Sequence, residues 1–108
     1  MRAPFLLVLS TASSRREALK ITKRILSARL AACVNLSASL ESHYWWKGKR
    51  AQSKEVLLLI KTRSSAFKKL EALIRKHHSY SVPEIIALPI EKGSVPYLRW
   101  IEQETSKA

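Results

Sequence analysis

The spacing of apolar residues along the chain predicts a succession of short strands and amphipathic helices. An apolar run at residues 5–9 is typical of a first strand. Ser14 and Glu17 have the spacing of a capping box, which predicts the start of a helix. The apolar positions of that helix recur every three or four residues and include Ala18, Ile21, Ile25 and Ala28.

A long β-hairpin is predicted in the middle of the chain. Its first arm covers residues 31–46 and ends in three consecutive aromatic residues. The turn falls at residues 47–49, and the return arm covers residues 54–62. Arms of about 13 residues span about 43 Å, whereas a flanking helix of about 15 residues spans about 22 Å. Because one small domain cannot cover such a hairpin, we expect another copy of the chain to cover it.

The last third of the chain predicts a helix, a short strand and a final helix. Ser64 or Ser65 is placed to cap the second helix, whose apolar residues recur over residues 67–77. Residues 85–89 form a nearly continuous apolar run, which favours a strand in the middle of a sheet. Pro96 fits the first turn of the last helix. The order β-α-β-β-α-β plus a terminal helix predicts an α+β, ferredoxin-like sandwich with a long hairpin.

The chain is strongly basic. Twenty Lys and Arg residues stand against eight Glu residues and no Asp, which gives a net charge of +12. The hydrophobic fraction of 46%, with two glycines and four prolines, indicates one folded domain over residues 1–108. A positive field of this strength favours non-specific binding to polyanions, and a merely solvated basic surface is the alternative.

The cysteine content bears on where the protein resides. A single cysteine, Cys33, excludes an internal disulfide and is typical of a reducing compartment. No stretch approaches the roughly 20 apolar residues that span a membrane, so we expect no membrane insertion. Together these observations predict a cytoplasmic protein.

Five blocks of the sequence resemble the CutA divalent-cation-tolerance family, in the family's order. They cover residues 30–35, 44–48, 60–63, 80–84 and 96–101. The resemblance extends over essentially the whole chain. It implies a homotrimer of ferredoxin-like protomers joined through their sheets, with the hairpin arms lying on neighbouring subunits. It also implies binding of Cu²⁺ or another divalent cation that is not required for folding, and a role in metal homeostasis or PII-like signalling.

Cys33, His78 and Glu84 are the candidate metal ligands. Thiolate and imidazole favour copper or zinc, and a carboxylate can complete the coordination shell. None of the three lies in a closely spaced pair. A structural thiol within an apolar strand is the alternative for Cys33. Capping of a helix end, or exposure, is the alternative for His78.

Five further residues are candidates for a ligand-binding or inter-subunit cleft. They are Tyr44, Trp46, Lys61, Arg63 and Tyr80. Strand alternation places Trp45 on the opposite face from its two aromatic neighbours, so the three cannot form one stacking platform. Packing into a neighbouring subunit accounts for both faces. Lys61 and Arg63 point to one side, where they can hold an anion or form a salt bridge.

The sequence carries no signature of catalysis. It has no Asp, no serine in a nucleophile elbow, no glycine-rich phosphate loop and no close carboxylate pair, so we expect a non-enzymatic protein. An RNA-binding module is the main alternative, because such modules share this element order and are often basic. They require exposed aromatic residues on their central strands, whereas residues 56–60 are purely aliphatic.

Overall fold

The computed structural model describes residues 4–106, and the predicted order of elements is confirmed. The strands are β1 (Phe5–Ala12), β2 (Cys33–Trp46), β3 (Lys49–Arg63) and β4 (Ile85–Pro89). The α-helices are α1 (Arg15–Ser27), α2 (Phe67–His77) and α3 (Val95–Thr105). In this part of the chain no helix has both the length and the apolar character that crossing a membrane requires.

The strands form one antiparallel sheet in the order β2-β3-β1-β4. This is the predicted α+β, ferredoxin-like arrangement. The expectation that β4 lies in the middle of the sheet is wrong, because β4 pairs with β1 and forms an edge. Ile86 and Leu88 on this strand are 50% and 44% exposed. Pro89 occupies the last position of the edge strand, where its missing N–H removes no necessary ladder bond.

Helices α1 and α2 cover one face of the sheet, which we call the helix face. The core there is built from aliphatic side chains that are at most 1% exposed. They include Val8, Leu58 and Ile60 from the sheet and Ile21, Ile25, Leu70 and Ile74 from the helices. Burial of each such side chain contributes roughly 1.5–3 kcal/mol. This core fixes the helix layer on the sheet.

The opposite side of the sheet carries a second aliphatic cluster, which we call the open face. Directly paired residues of neighbouring strands project to the same side. Leu9 pairs with both Leu59 and Ile86, and Leu7 pairs with Leu88. The open face consists of Leu7, Leu9, Leu57, Leu59, Ile86 and Leu88. Most of these side chains are half-buried or exposed, so nothing within the described chain covers the face fully.

The predicted capping box begins α1. Ser14 Oγ accepts the Glu17 N–H at 3.1 Å, and the Glu17 carboxylate accepts the Ser13 N–H at 2.9 Å. For α2 the predicted serine cap is wrong. A 3₁₀ turn at Ser64–Ala66 precedes the helix, and neither the turn nor the helix begins with a side-chain cap bond. The Ser64 N–H instead donates to the Pro4 carbonyl at 2.9 Å, so main-chain bonding joins this turn to the start of the sheet.

The hairpin of β2 and β3 extends beyond the sheet, as predicted. The pairing of β1 with β3 ends at Val56, while β2 and β3 stay paired out to Trp46 and Lys49. Residues 49–55 therefore project about 23 Å past the sheet. Lys47 and Gly48 form the turn with φ of 51° and 78°, the left-handed conformations of a type I′ hairpin turn. The longest dimension of the protomer is 44 Å.

Candidate functional site

A cleft of about 650 Å³ lies where the hairpin leaves the sheet. Its walls come from the end of β1, from both hairpin arms and from the loop between α2 and β4. The cleft brings together four of the predicted site residues, which are Tyr44, Trp46, Tyr80 and Glu84. Thr11 and Glu55 also line it and were not identified from the sequence. Thr11 and Glu55 reach the cleft only because β1 pairs with β3, and this pairing cannot be read from the type of either residue.

Tyr80 and Glu55 form the polar centre of this cleft. The Tyr80 hydroxyl donates to Glu55 Oε2 at 3.1 Å. Burial raises the pKa of Tyr80 to about 12, and the hydrogen bond to Glu55 and the charge of that carboxylate add to the effect. Tyr80 is therefore a neutral donor at physiological pH. The pair anchors the loop after α2 to β3.

His78 occupies the C-cap position of α2, as one of the alternatives expected, but its ring is enclosed, so the expectation of an exposed ring is wrong. Its side chain has 0% exposure. Nε2 lies 2.6 Å from the Thr11 carbonyl and must donate its proton there, while Nδ1 accepts the Tyr80 N–H at 3.0 Å. Both ring nitrogens are thus bonded to the main chain. A metal at His78 would have to displace one of these bonds.

Glu17 joins the beginning of α1 to the same loop. One carboxylate oxygen accepts from Ser13, and the other accepts the Ser79 N–H at 2.8 Å. Partial burial acts to raise the pKa of Glu17, but the bonds from Ser13 and Ser79 outweigh it and lower the pKa to about 2. The capping-box spacing identified Glu17 as a helix residue. Its bond to Ser79 could not be read from that spacing.

One chain does not bring the three candidate metal ligands together. Cys33 pairs with Lys61, which pairs with Leu7, whereas His78 bonds to Thr11. Leu7 and Thr11 are four steps apart along β1, which is about 13 Å. Within residues 4–106 no group of three or more His, Cys, Asp or Glu side chains is arranged to hold a metal ion. Cys33 is half-buried, and its thiol lies 3.7 Å from the Asn35 side-chain oxygen.

Lys61 and Arg63 lie at the far end of the sheet from the cleft. Lys61 Nζ donates to the Asn35 side-chain oxygen. Arg63 Nε donates to Thr105 Oγ1 at 2.8 Å, and Arg63 Nη2 donates to the Thr105 carbonyl at 2.9 Å. Arg63 therefore fastens the last turn of α3 to β3. This geometry separates both cations from Tyr44, Trp46 and Tyr80.

The aromatic residues of the hairpin are divided between two surfaces, as strand alternation predicts. Tyr44 and Trp46 line the cleft, and the Tyr44 hydroxyl donates to Ser53 Oγ at 3.2 Å. Trp45 is 71% exposed and contributes with Arg50 to a second depression, which Tyr44 also lines from the edge of the hairpin. Indole rings so exposed on a protomer are typical of surfaces that pack against another protein.

The architecture defines a small ferredoxin-like α+β protein with an extended hairpin. Residues 6–104 match the model of the family described as CutA1 divalent ion tolerance protein. The chain belongs to this family. Members are named for tolerance of divalent cations rather than for an enzymatic reaction.

Curated relatives come from bacteria, archaea, plants and animals. The divalent-cation tolerance protein CutA of Thermus thermophilus is 45% identical over 98 residues, covering 91% of this chain and 95% of that protein. Human protein CutA is also 45% identical, over 95 residues that cover 88% of this chain. The chain spans only 53% of the human protein and 59% of the rice chloroplastic protein CutA 1.

Solved structures of the family match the fold closely. The Cut A1 structure from Thermus thermophilus has a TM-score of 0.92 at 44% identity, covering 94% of this chain and 98% of that chain. CutA1 from a psychrotrophic Shewanella species has a TM-score of 0.94 at 36% identity, covering 97% of this chain and 98% of that chain. The hairpin and the three helices therefore belong to a known architecture.

Proposed function

We propose that the protein is a non-enzymatic homotrimer that serves divalent-cation tolerance, binding Cu²⁺ or another divalent cation in a homeostatic or PII-like signalling role. The observation that carries the proposal is the incompletely covered open face next to a projecting hairpin. Six aliphatic side chains on one side of a sheet form the kind of apolar patch that marks a protein interface. Burial of the exposed parts of these side chains favours assembly.

The hairpin supports the same assembly. Its projecting part exposes Leu40, Tyr44, Trp45 and Trp46, with side chains on both of its surfaces. A neighbouring subunit that packs on the open face can also pack along this arm. An interface of this kind is apolar at its centre and is typical of permanent oligomers.

Sedimentation equilibrium at micromolar concentration tests the assembly. We expect a single species of three times the 12.3 kDa chain mass, with no folded monomer on dilution. A stable, folded species at the mass of one chain would refute the trimer. Trp46→Ala should weaken assembly, because a buried aromatic anchor commonly contributes about 2 kcal/mol or more.

The metal part of the proposal rests on the family's name and on the carboxylates of the cleft. Glu84 is exposed and lines the cleft together with Glu55. Cys33 lies at the opposite end of the sheet, so the predicted set of Cys33, His78 and Glu84 does not fit one site within a chain. A site that uses Cys33 with Glu84 requires a second subunit.

Titration calorimetry with Cu²⁺ and Zn²⁺ tests this part. The protein variants are wild type, Cys33→Ser, His78→Ala and Glu84→Gln. Loss of affinity in a variant identifies a ligand, and uptake that involves the thiolate or an imidazole should weaken below about pH 6. Equal affinity in all four proteins would show that these residues are structural. Sedimentation of each variant separates a lost ligand from a lost trimer.

Polyanion binding is a second candidate function, favoured by the net charge of +12. The central strands β1 and β3 present leucines on the open face, which does not support base stacking of the kind found in RNA-recognition modules. Binding should therefore be electrostatic and independent of sequence. We also propose a cytoplasmic location, in keeping with the free thiol of Cys33, which cell fractionation checks.

A further inference from the structure

The outward sides of α1 and α2 carry a concentrated group of cations, which we call the basic face. Its members are Arg15, Arg16, Lys20, Lys23, Arg24, Lys68, Lys69, Arg75 and Lys76. All nine side chains are exposed. The two helices carry only two acidic residues, Glu17 and Glu71. The Glu17 carboxylate is already bonded to Ser13 and Ser79.

No carboxylate forms an ion pair with these cations in the described part of the chain. The ion pairs among residues 4–106 join Arg29 to Glu104 and place His43 and His78 beside glutamates. None of them involves a member of the basic face. A surface of unpaired cations holds a strong positive potential, and it attracts a counter-charge from outside the chain.

The charges of the two helices form one field rather than two separate ones. His77 lies on α2, and its pKa is lowered by burial and then by Arg24, Lys76 and Lys20. Two of these three cations belong to α1 and one to α2. Cations of both helices therefore act on His77.

The basic face remains accessible in the trimer proposed above. Helices α1 and α2 cover the helix face of the sheet, whereas the leucines available for assembly lie on the open face. The two surfaces are on opposite sides of the same sheet. Assembly through the open face leaves the basic face of each subunit in solvent.

We propose that the basic face binds the phosphate backbone of double-stranded nucleic acid, without reading its bases. This inference rests on the polyanion binding proposed above and assigns it a surface and a partner. Helices of 13 and 11 residues are about 20 and 17 Å long. Helices packed side by side lie about 10 Å apart, and a length of about 20 Å spans about six base-pair steps at the axial rise of about 3.4 Å of a duplex, so cations of both helices can reach about six phosphates of its two strands. Four of the nine cations are arginines, which bind phosphate in a bidentate manner.

An acidic membrane surface fits the basic face less well. Helices that lie in a membrane interface combine basic residues with Trp, Phe and Leu that insert among the lipids. The exposed tryptophans here belong to the hairpin and α3. On α1 and α2 the exposed large hydrophobic residues are Leu19 and Leu26, both on α1. The basic face therefore lacks the broad adjoining apolar surface that insertion into a membrane interface needs.

Fluorescence anisotropy with a labelled DNA duplex of mixed sequence, about two helical turns long, tests the proposal. With about six phosphate contacts, the affinity should fall about a thousandfold or more between 50 and 200 mM salt. The test variant is Lys20→Gln/Arg24→Gln/Lys76→Gln. The matched control, Lys47→Gln/Lys49→Gln/Arg50→Gln, removes the same charge from the hairpin tip. We expect the test variant to lower the slope of log affinity against log salt by about 2.7, and the control to leave it unchanged.

The possible results separate the two proposals. Equal losses in both variants would show that binding follows net charge, which overturns the basic face as the site but not polyanion binding. Failure of wild type to bind DNA or heparin at about 50 mM salt overturns both proposals. Tighter binding to phosphatidylserine-rich vesicles than to DNA, at physiological salt, overturns nucleic acid as the partner. Sedimentation and circular dichroism of both variants show that assembly and folding are retained.

Discussion

Replacing Glu17 with Gln should destabilise the protein at neutral pH and remove part of its acid sensitivity. The carboxylate receives hydrogen bonds from the Ser13 N–H and hydroxyl and from the Ser79 N–H. It thereby ties the first turn of α1 to the loop beside the cleft. These bonds lower the pKa of Glu17 from 4.5 to about 2, although partial burial opposes ionisation. Glutamine keeps the shape of the side chain but lacks the charge.

The lowered pKa fixes the direction of the pH dependence. Folding favours the ionised carboxylate, so its stabilisation is fully present above about pH 4.5 and is lost as pH falls toward 2. The change in pKa corresponds to at most roughly 3–4 kcal/mol. Because water reaches 12% of the side chain and screens the charge, we expect about 1–2 kcal/mol at pH 7. More than half of this difference between wild type and Glu17→Gln should disappear by about pH 3.

Urea unfolding at neutral pH and at about pH 3, at one fixed chain concentration, measures the effect. A fixed concentration is needed because assembly contributes to apparent stability. Glu102→Gln is the matched control, since Glu102 is exposed on α3 and its carboxylate accepts no hydrogen bond among the described residues. A destabilisation by Glu17→Gln that is the same at both pH values would refute the reasoning, because it would not depend on ionisation.

Three further predictions follow from single contacts. Leu9→Lys places a charge on the open face and should convert the trimer to smaller species in sedimentation. Leu19→Lys, at an exposed position of α1, should leave the trimer intact. Tyr80→Phe removes the hydrogen bond to a 9%-exposed Glu55 and should cost about 1–3 kcal/mol in urea unfolding. Arg63→Met removes two bonds to the end of α3, and hydrogen exchange of the amides in that helix should accelerate about tenfold or more while those of α1 stay protected.

The hairpin and helices could be predicted from the sequence because their signals are local. The turn at residues 47–49 between two strand-like arms, and the spacing of Ser14 and Glu17, depend on neighbours within a few positions. The position of β4 could not be predicted in this way, for a physical reason. An apolar run indicates burial, but it does not say whether the strand is buried within its own sheet or against a partner at an exposed edge.

The site was harder to predict because its contacts join distant parts of the chain. His78 bonds to Thr11 across 67 positions, and Arg63 bonds to Thr105 across 42. Residue type suggests a metal ligand for His78 and an anion site for Arg63. Residue type does not reveal the long-range hydrogen bonds in which both side chains are already engaged. Of the five residues predicted for a cleft, Tyr44, Trp46 and Tyr80 line one cleft, whereas Lys61 and Arg63 lie at the other end of the sheet.

The place of β1 in the sheet also has a consequence for biosynthesis. This strand is made before both of its partners, because it lies between β3 and β4, where Ala12 pairs with Val56 and Leu6 with Pro89. At roughly 5–20 residues per second, the ribosome needs about 4–15 s to produce the partners of β1. During that interval an apolar strand has both edges unpaired, which is the arrangement that promotes aggregation. The nascent chain is therefore most vulnerable before β4 emerges, and a chaperone that shields β1 should raise the yield of folded protein.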